Sequence, residues 1–164
     1  MNSDQKIALI DIGHPKHLDK FVKDKDEDVR TQVAREGNDF HRDKLVNDKA
    51  LNVRRMVAVF GNDSHRDKLI KDKSDIVRGI VADRGNDSHR DKLVNDESPY
   101  VRGQVAESGN DSHRDKLIND EDSEVRWFVA KHGNKEHATK LSKDKDKVVR
   151  AEAKDRLKAL KVKK

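Results

Sequence analysis

The tetrapeptide His-Arg-Asp-Lys stands at 41–44, 65–68, 89–92 and 113–116. A charged run copied four times is the first place to look for catalysis. Histidine belongs to a wider column at 17, 41, 65, 89, 113 and 137, and imidazole is a common metal ligand. A third set, Arg30, Arg54, Arg78, Arg102, Arg126 and Arg150, offers planar guanidinium forks that suit phosphate. Catalysis, metal binding and nucleic-acid contact are therefore the three chemistries to weigh.

The spacing of these residues belongs to a repeat of the whole chain. Gly falls at 13, 37, 61, 85, 109 and 133, and Val-Arg at 29–30, 53–54, 77–78, 101–102, 125–126 and 149–150, always 24 residues apart. A second Val stands at 33, 57, 81, 105 and 129, each followed by Ala. A fixed period of this length is the mark of a solenoid, in which each unit buries its apolar face only against its neighbours. Each coil reads as a short helix plus a longer one. In the fourth coil Ser88 is placed to cap the short helix, with Asp91 three residues on. Ser98-Pro99 starts the longer helix, an N-cap followed by proline at the first helical position. Val101 and Val105, four apart, share its inner face, and Gly109 is expected to end it in the left-handed conformation.

The Asp…Val-Arg-x-x-Val-Ala core and the leucine column Leu45, Leu69, Leu93, Leu117 and Leu141 resemble a compact HEAT-like repeat, and most closely the leucine-rich repeat variant type. That resemblance implies an all-α fold, an α-solenoid of about six 24-residue coils. It spans nearly the whole chain as one domain, 1–164. Residues 1–12 form an N-terminal half-coil cap, with Lys6 in the arginine column, and 13–156 hold six repeats. Residues 157–164 end a capping helix in a basic tail. The founding member of that family carries an iron–sulfur cluster; this chain has no Cys and cannot reproduce it.

Within this frame the three chemistries weaken. The His-Arg-Asp-Lys run resembles the catalytic loop of protein kinases, in which Asn follows Asp by five positions. Counted from Asp91 that place holds Asp96, and Asn95 comes one too early. A kinase glycine loop and Asp-Phe-Gly are absent too. Four near-identical copies of a catalytic loop make no chemical sense, so no catalytic residue is assigned and the chain is expected not to be an enzyme. Metal ligands must converge on one ion, whereas neighbouring coils would hold the histidines about 10 Å apart. A structural ladder is expected of them, with no metal and no cofactor. An Asp column at 24, 48, 72, 96, 120 and 144 matches the arginines one for one, which favours a structural Arg–Asp ladder over phosphate contacts.

Charge points the same way. The net +5 would ordinarily suggest nucleic acid. Residues 154–164 hold six basic residues and one acidic one, leaving 31 of each in the remainder. The body is neutral and its excess charge is a tail. Only 32% of residues are hydrophobic, yet they sit in fixed columns, which excludes disorder. With no apolar run near the roughly 20 residues of a membrane span and no signal peptide, a cytoplasmic protein without membrane contact is expected.

Positions that vary between coils carry the functional reading, because a stack needs only its invariant ones. Taking the first Val of each longer helix as inward, the positions one before, two after and six after face solvent at 100° per residue. These columns yield Arg55 and Val59, then Ile76 and Gly79, then Tyr100 and Gly103, then Trp127 and Lys131. Gly79 and Gly103, taken as exposed, would floor a shallow trough between arginine and aromatic residues, which are common interface anchors. The expected function is a non-enzymatic scaffold binding a protein or peptide at these eight positions. The alternative is nucleic-acid binding by the arginine column and the basic tail.

Overall fold

The recurring valines fold inward. Val29, Val33, Val53, Val57, Val77 and Val81, with Val101, Val105, Val125 and Val129, are fully buried, as are the alanines after each second valine. Burying one such side chain contributes about 1.5–3 kcal/mol, so the two-valine stripe is the main apolar support of each longer helix.

The computed structural model describes residues 1–12 and 15–162. Gly13, the expected opening of the first coil, and Lys163 and Lys164 of the basic tail lie outside the described residues. The chain divides into two compact units, Met1–Arg84 and Gly85–Lys164. The division falls between two copies of the repeat, each unit holding three of them.

In the first unit the helices are α1 (Ser3–Asp11), α2 (Pro15–Phe21), α3 (Glu27–Glu36), α4 (Asp39–Leu45), α5 (Leu51–Phe60), α6 (Asp63–Leu69) and α7 (Asp75–Arg84). The longer helices pack in succession, α1 on α3, α3 on α5 and α5 on α7, and each short helix packs on the longer ones that flank it in sequence. The second unit repeats the plan with α8 (Asp87–Leu93), α9 (Pro99–Ser108), α10 (Asp111–Leu117), α11 (Ser123–His132), α12 (Lys135–Leu141) and α13 (Lys147–Val162). There α9 packs on α11 and α11 on α13, with α10 and α12 as the short partners. Both units are all-α stacks of the solenoid class. Among the described residues no helix is long and apolar enough to cross a membrane.

Two local expectations are corrected. Helices α4, α6, α8, α10 and α12 are capped by asparagine, two positions before the serine column, with histidine as the box partner. Asn86 accepts from the His89 N–H at 3.2 Å, and the Asn86 N–H donates to His89 Nδ1 at 3.1 Å. Ser88, expected as the cap, lies inside α8. A histidine that can accept through Nδ1 replaces the Glu or Gln ordinarily found at this position.

Gly109, expected in the left-handed conformation, is extended, with φ −79° and ψ 176°. The reason for glycine is proximity. A Cβ there would sit 2.5 Å from the Val105 carbonyl oxygen and 3.0 Å from the His113 Cβ, and Gly37, Gly61 and Gly133 face the same two groups. The longer helix ends so close to the following histidine that no side chain fits.

Candidate partner-binding surface

The His-Arg-Asp-Lys run is occupied residue by residue in holding the stack. Its histidines are buried, their Nδ1 atoms accept from the asparagine N–H three residues back, and the other ring nitrogen is Nε2. That Nε2 faces a carboxylate one coil back. His137 donates to Asp115 at 2.8 Å, while His41, His65 and His113 lie 3.2, 3.5 and 3.4 Å from Asp19, Asp43 and Asp91, short of hydrogen-bond alignment. The run's arginine satisfies the open carbonyls at the end of the preceding longer helix. Arg42 Nε donates to the Ala34 oxygen at 2.9 Å and Arg114 Nε to that of Ala106 at 2.9 Å. Two of its lysines reach back one coil, Lys68 to Asp43 at 2.9 Å and Lys116 to Asp91 at 3.2 Å, while Lys44 lies over the Phe40 ring. Among the described residues no three His, Asp or Glu side chains gather to hold a metal ion.

Five arginines of the column are buried and all six are engaged. Arg54 Nε and Nη2 donate to Asp72 at 2.6 and 3.1 Å, and its Nη1 donates to the carbonyls of Asp48 and Lys49. Arg30, Arg102 and Arg126 make the same fork to Asp48, Asp120 and Asp144. The hydrogen bond to the carboxylate holds each of these four guanidinium groups above its ordinary value against the pull of burial. Arg78 is buried with Nη1 on the Asp72 carbonyl, and half-buried Arg150 donates Nη1 to the carbonyls of Asp144 and Lys145. Each aspartate also accepts the backbone N–H two residues on, as Asp120 does from Asp122 at 2.9 Å, so it begins the longer helix of its own coil while gripping the previous one. A phosphate reaching Arg30, Arg54, Arg102 or Arg126 would have to displace a carboxylate from a buried fork.

The variable columns divide between the two units. In the first, Ile76 is 41% exposed. Arg55 and Val59 are half-buried, with Arg55 Nη1 on Asn52 at 3.1 Å. Gly79 is buried, which corrects its expected exposure. In the second, Tyr100 is 47% exposed and Lys131 is exposed. Gly103 is buried, again against expectation, because the Phe128 ring of α11 lies across it: a Cβ there would stand 3.3 Å from the ring. The glycine admits an aromatic ring instead of leaving an open floor. Trp127, expected to face outward, is half-buried. Its ring meets Phe128 edge-on at 5.1 Å and carries the Lys131 ammonium 4.7 Å above it.

These side chains line two grooves in the second unit. One, of about 400 Å³ between α9 and α11, is bounded by Tyr100, Gly103, Gln104, Asp122, Glu124 and Phe128. The other, of about 390 Å³ between α11 and α13, is bounded by Glu124, Trp127, Asp146, Val148 and Val149. Sequence reasoning missed Phe128 and Val148. Phe128 shares its column with Met56, Ile80 and Gln104, a mixture without pattern. Val148, 55% exposed, continues the column of Ile76 and Tyr100, and carrying that column one coil further would have found it.

No family model matches the chain, and no curated protein matches it. Among solved structures, a leucine-rich repeat variant with a novel repetitive structural motif overlays with a TM-score of 0.77 at 26% identity over 86% of this chain. The chain spans 60% of the length of that protein. A designed armadillo repeat protein in complex with the peptide (KR)4 overlays at TM-score 0.38 and 19% identity, covering 96% of this chain and 86% of its own. An engineered protein overlays at 0.43 and 16%, covering 88% and 95%. The helices of the described residues, the 24-residue period and the first of these overlays give the chain a HEAT-like α-solenoid fold, similar to that of the leucine-rich repeat variant.

Proposed function

We propose that the protein is a non-enzymatic binding scaffold that takes an extended peptide, or an extended segment of a protein, on the outer side of its longer helices. The observation that carries this is the α9–α11 groove, where the exposed Tyr100 ring stands beside an apolar floor made by Phe128 over Gly103. An aromatic side chain at the lip of a preformed groove is a typical interface anchor, since its large apolar area is ordered at little entropic cost. In the floor the Phe128 ring meets the edge of Trp127 and lies parallel to the His132 ring. Trp127 borders the neighbouring groove, with the exposed Lys131 over its ring. In the first unit Arg55, Val59, Ile76 and Gly79 occupy the matching columns, and the same reading applies there.

The test is selection of random displayed peptides on the immobilised full chain, followed by binding to the Tyr100→Ala variant. Enriched peptides should lose about tenfold or more in affinity, the ordinary effect of removing an aromatic anchor, with the melting temperature unchanged. If no peptide is enriched, or if binding is indifferent to Tyr100, the reading is wrong.

A further inference from the structure

The lining of the two grooves is one-sided in charge. Asp122 and Glu124 border the first, and Glu124 and Asp146 the second, while among the described residues no lysine or arginine lines either. This contrasts with the remainder of the chain before residue 154, which holds 31 basic and 31 acidic residues. The apolar parts are aromatic or aliphatic: Tyr100 and Phe128 on one side, Trp127, Val148 and Val149 on the other. Aromatic faces attract cations as carboxylates do, and Trp127 already holds the Lys131 ammonium over its ring.

We infer that the occupant of these grooves is an extended basic peptide segment, bearing apolar or aromatic side chains for the floors and lysine or arginine for the acidic rims; this rests on the peptide-scaffold reading above. Glu124 is the shared residue. It stands exposed on α11 between the grooves, so a cation on either side approaches it. Asp122 and Asp146 are fixed, because each accepts a backbone N–H of the helix it begins, from Glu124 at 2.7 Å and from Val148 at 2.7 Å. Their carboxylates are therefore ordered before a ligand arrives, and little side-chain entropy is lost on binding. Helices in contact lie about 8–10 Å apart and an extended chain advances about 3.3 Å per residue, so anchors for adjacent grooves recur about every third residue.

The peptides selected on the full chain decide the matter. Their composition is read, and a selected sequence is synthesised in two forms, one as found and one with each Lys or Arg replaced by Glu. The inference expects enrichment in Lys and Arg, loss of binding in the acidic form, and weakening as salt is raised. Glu124→Gln should weaken binding roughly twofold to fivefold, as for one exposed pair. The triple variant Asp122→Asn, Glu124→Gln, Asp146→Asn, which keeps the cap acceptors, should weaken it further at an unchanged melting temperature. If selected peptides are neutral or acidic yet still depend on Tyr100, the basic partner is wrong and the scaffold reading stands. If nothing binds, or Tyr100 has no part in binding, both fall.

Discussion

Lys6 Nζ lies 2.7 Å from Asp24 Oδ2, across the same 18-residue offset at which Arg30 meets Asp48 and Arg126 meets Asp144. The ladder thus begins with a lysine, which gives one point contact where each arginine gives a two-bonded fork. Both members are largely shielded from water, as are Arg54 and Asp72.

Removing one side of a buried pair leaves the other charged and uncompensated. Arg54→Ala should therefore destabilise the first unit by on the order of 3–5 kcal/mol. Lys6→Ala should cost about 1.5–3 kcal/mol, as for one charged hydrogen bond. Urea unfolding of the two variants should place Lys6→Ala closer to the parent, and the reverse order would contradict the fork as the stronger link.

Glycines at two kinds of position should respond differently to alanine. At Gly61 a Cβ would stand 2.4 Å from the Val57 carbonyl oxygen and 2.9 Å from the His65 Cβ. Neither backbone nor a buried histidine can move cheaply, so Gly61→Ala should cost at least about 2 kcal/mol. At Gly103 a Cβ would meet, among the described residues, just the Phe128 ring at 3.3 Å, offset by a helix propensity gain of about 1 kcal/mol. Gly103→Ala should change the melting temperature little.

Acid should loosen the ladder. The Lys6 hydrogen bond holds the Asp24 carboxyl below its ordinary value, and that of Arg126 does the same for Asp144. At Asp48 burial pushes upward, but the bonds from Arg30 and the Ala50 N–H outweigh it. These groups ionise more readily folded than unfolded, so the stability they confer is complete above the ordinary value of 3.8 and is lost as pH falls below it through the lowered values. The ladder's share of the melting temperature should hold down to about pH 4, below which a steep drop should set in that is shallower in Asp48→Asn.

Burial holds the His132 imidazole below its ordinary value of 6.5, with Glu107 opposing and Lys131, Arg114 and Arg156 assisting. Its ring stacks on Phe128 at 6.3 Å. The unfolded chain takes up this proton first, so a small loss of stability should accompany a fall in pH below 6.5. An NMR titration should give a midpoint under 6.5, moving upward in Phe128→Ala as the ring is exposed.

The periodic letters made the fold legible: Val101 and Val105 had to share a face, and they are buried. Local chemistry was less so. Asn86 and Ser88 are both good caps, and only the position of α8 chose between them. The glycine at 109 reads like a helix-ending residue of either conformation, and the approach of His113 explains it. The trough failed as drawn because Gly103 is covered by a residue 25 positions on, in a column with no regular pattern.

The 24-residue period by itself determined the repeated helix pair, its apolar stripe and the equal columns of arginine and aspartate, because each follows from which residues recur within one coil. Tertiary structure alone decided which variable side chains stay open to a ligand. Exposure at Tyr100 and cover at Gly103 depend on the neighbouring coil, whose variable residues, Glu124 and Phe128, obey no repeat.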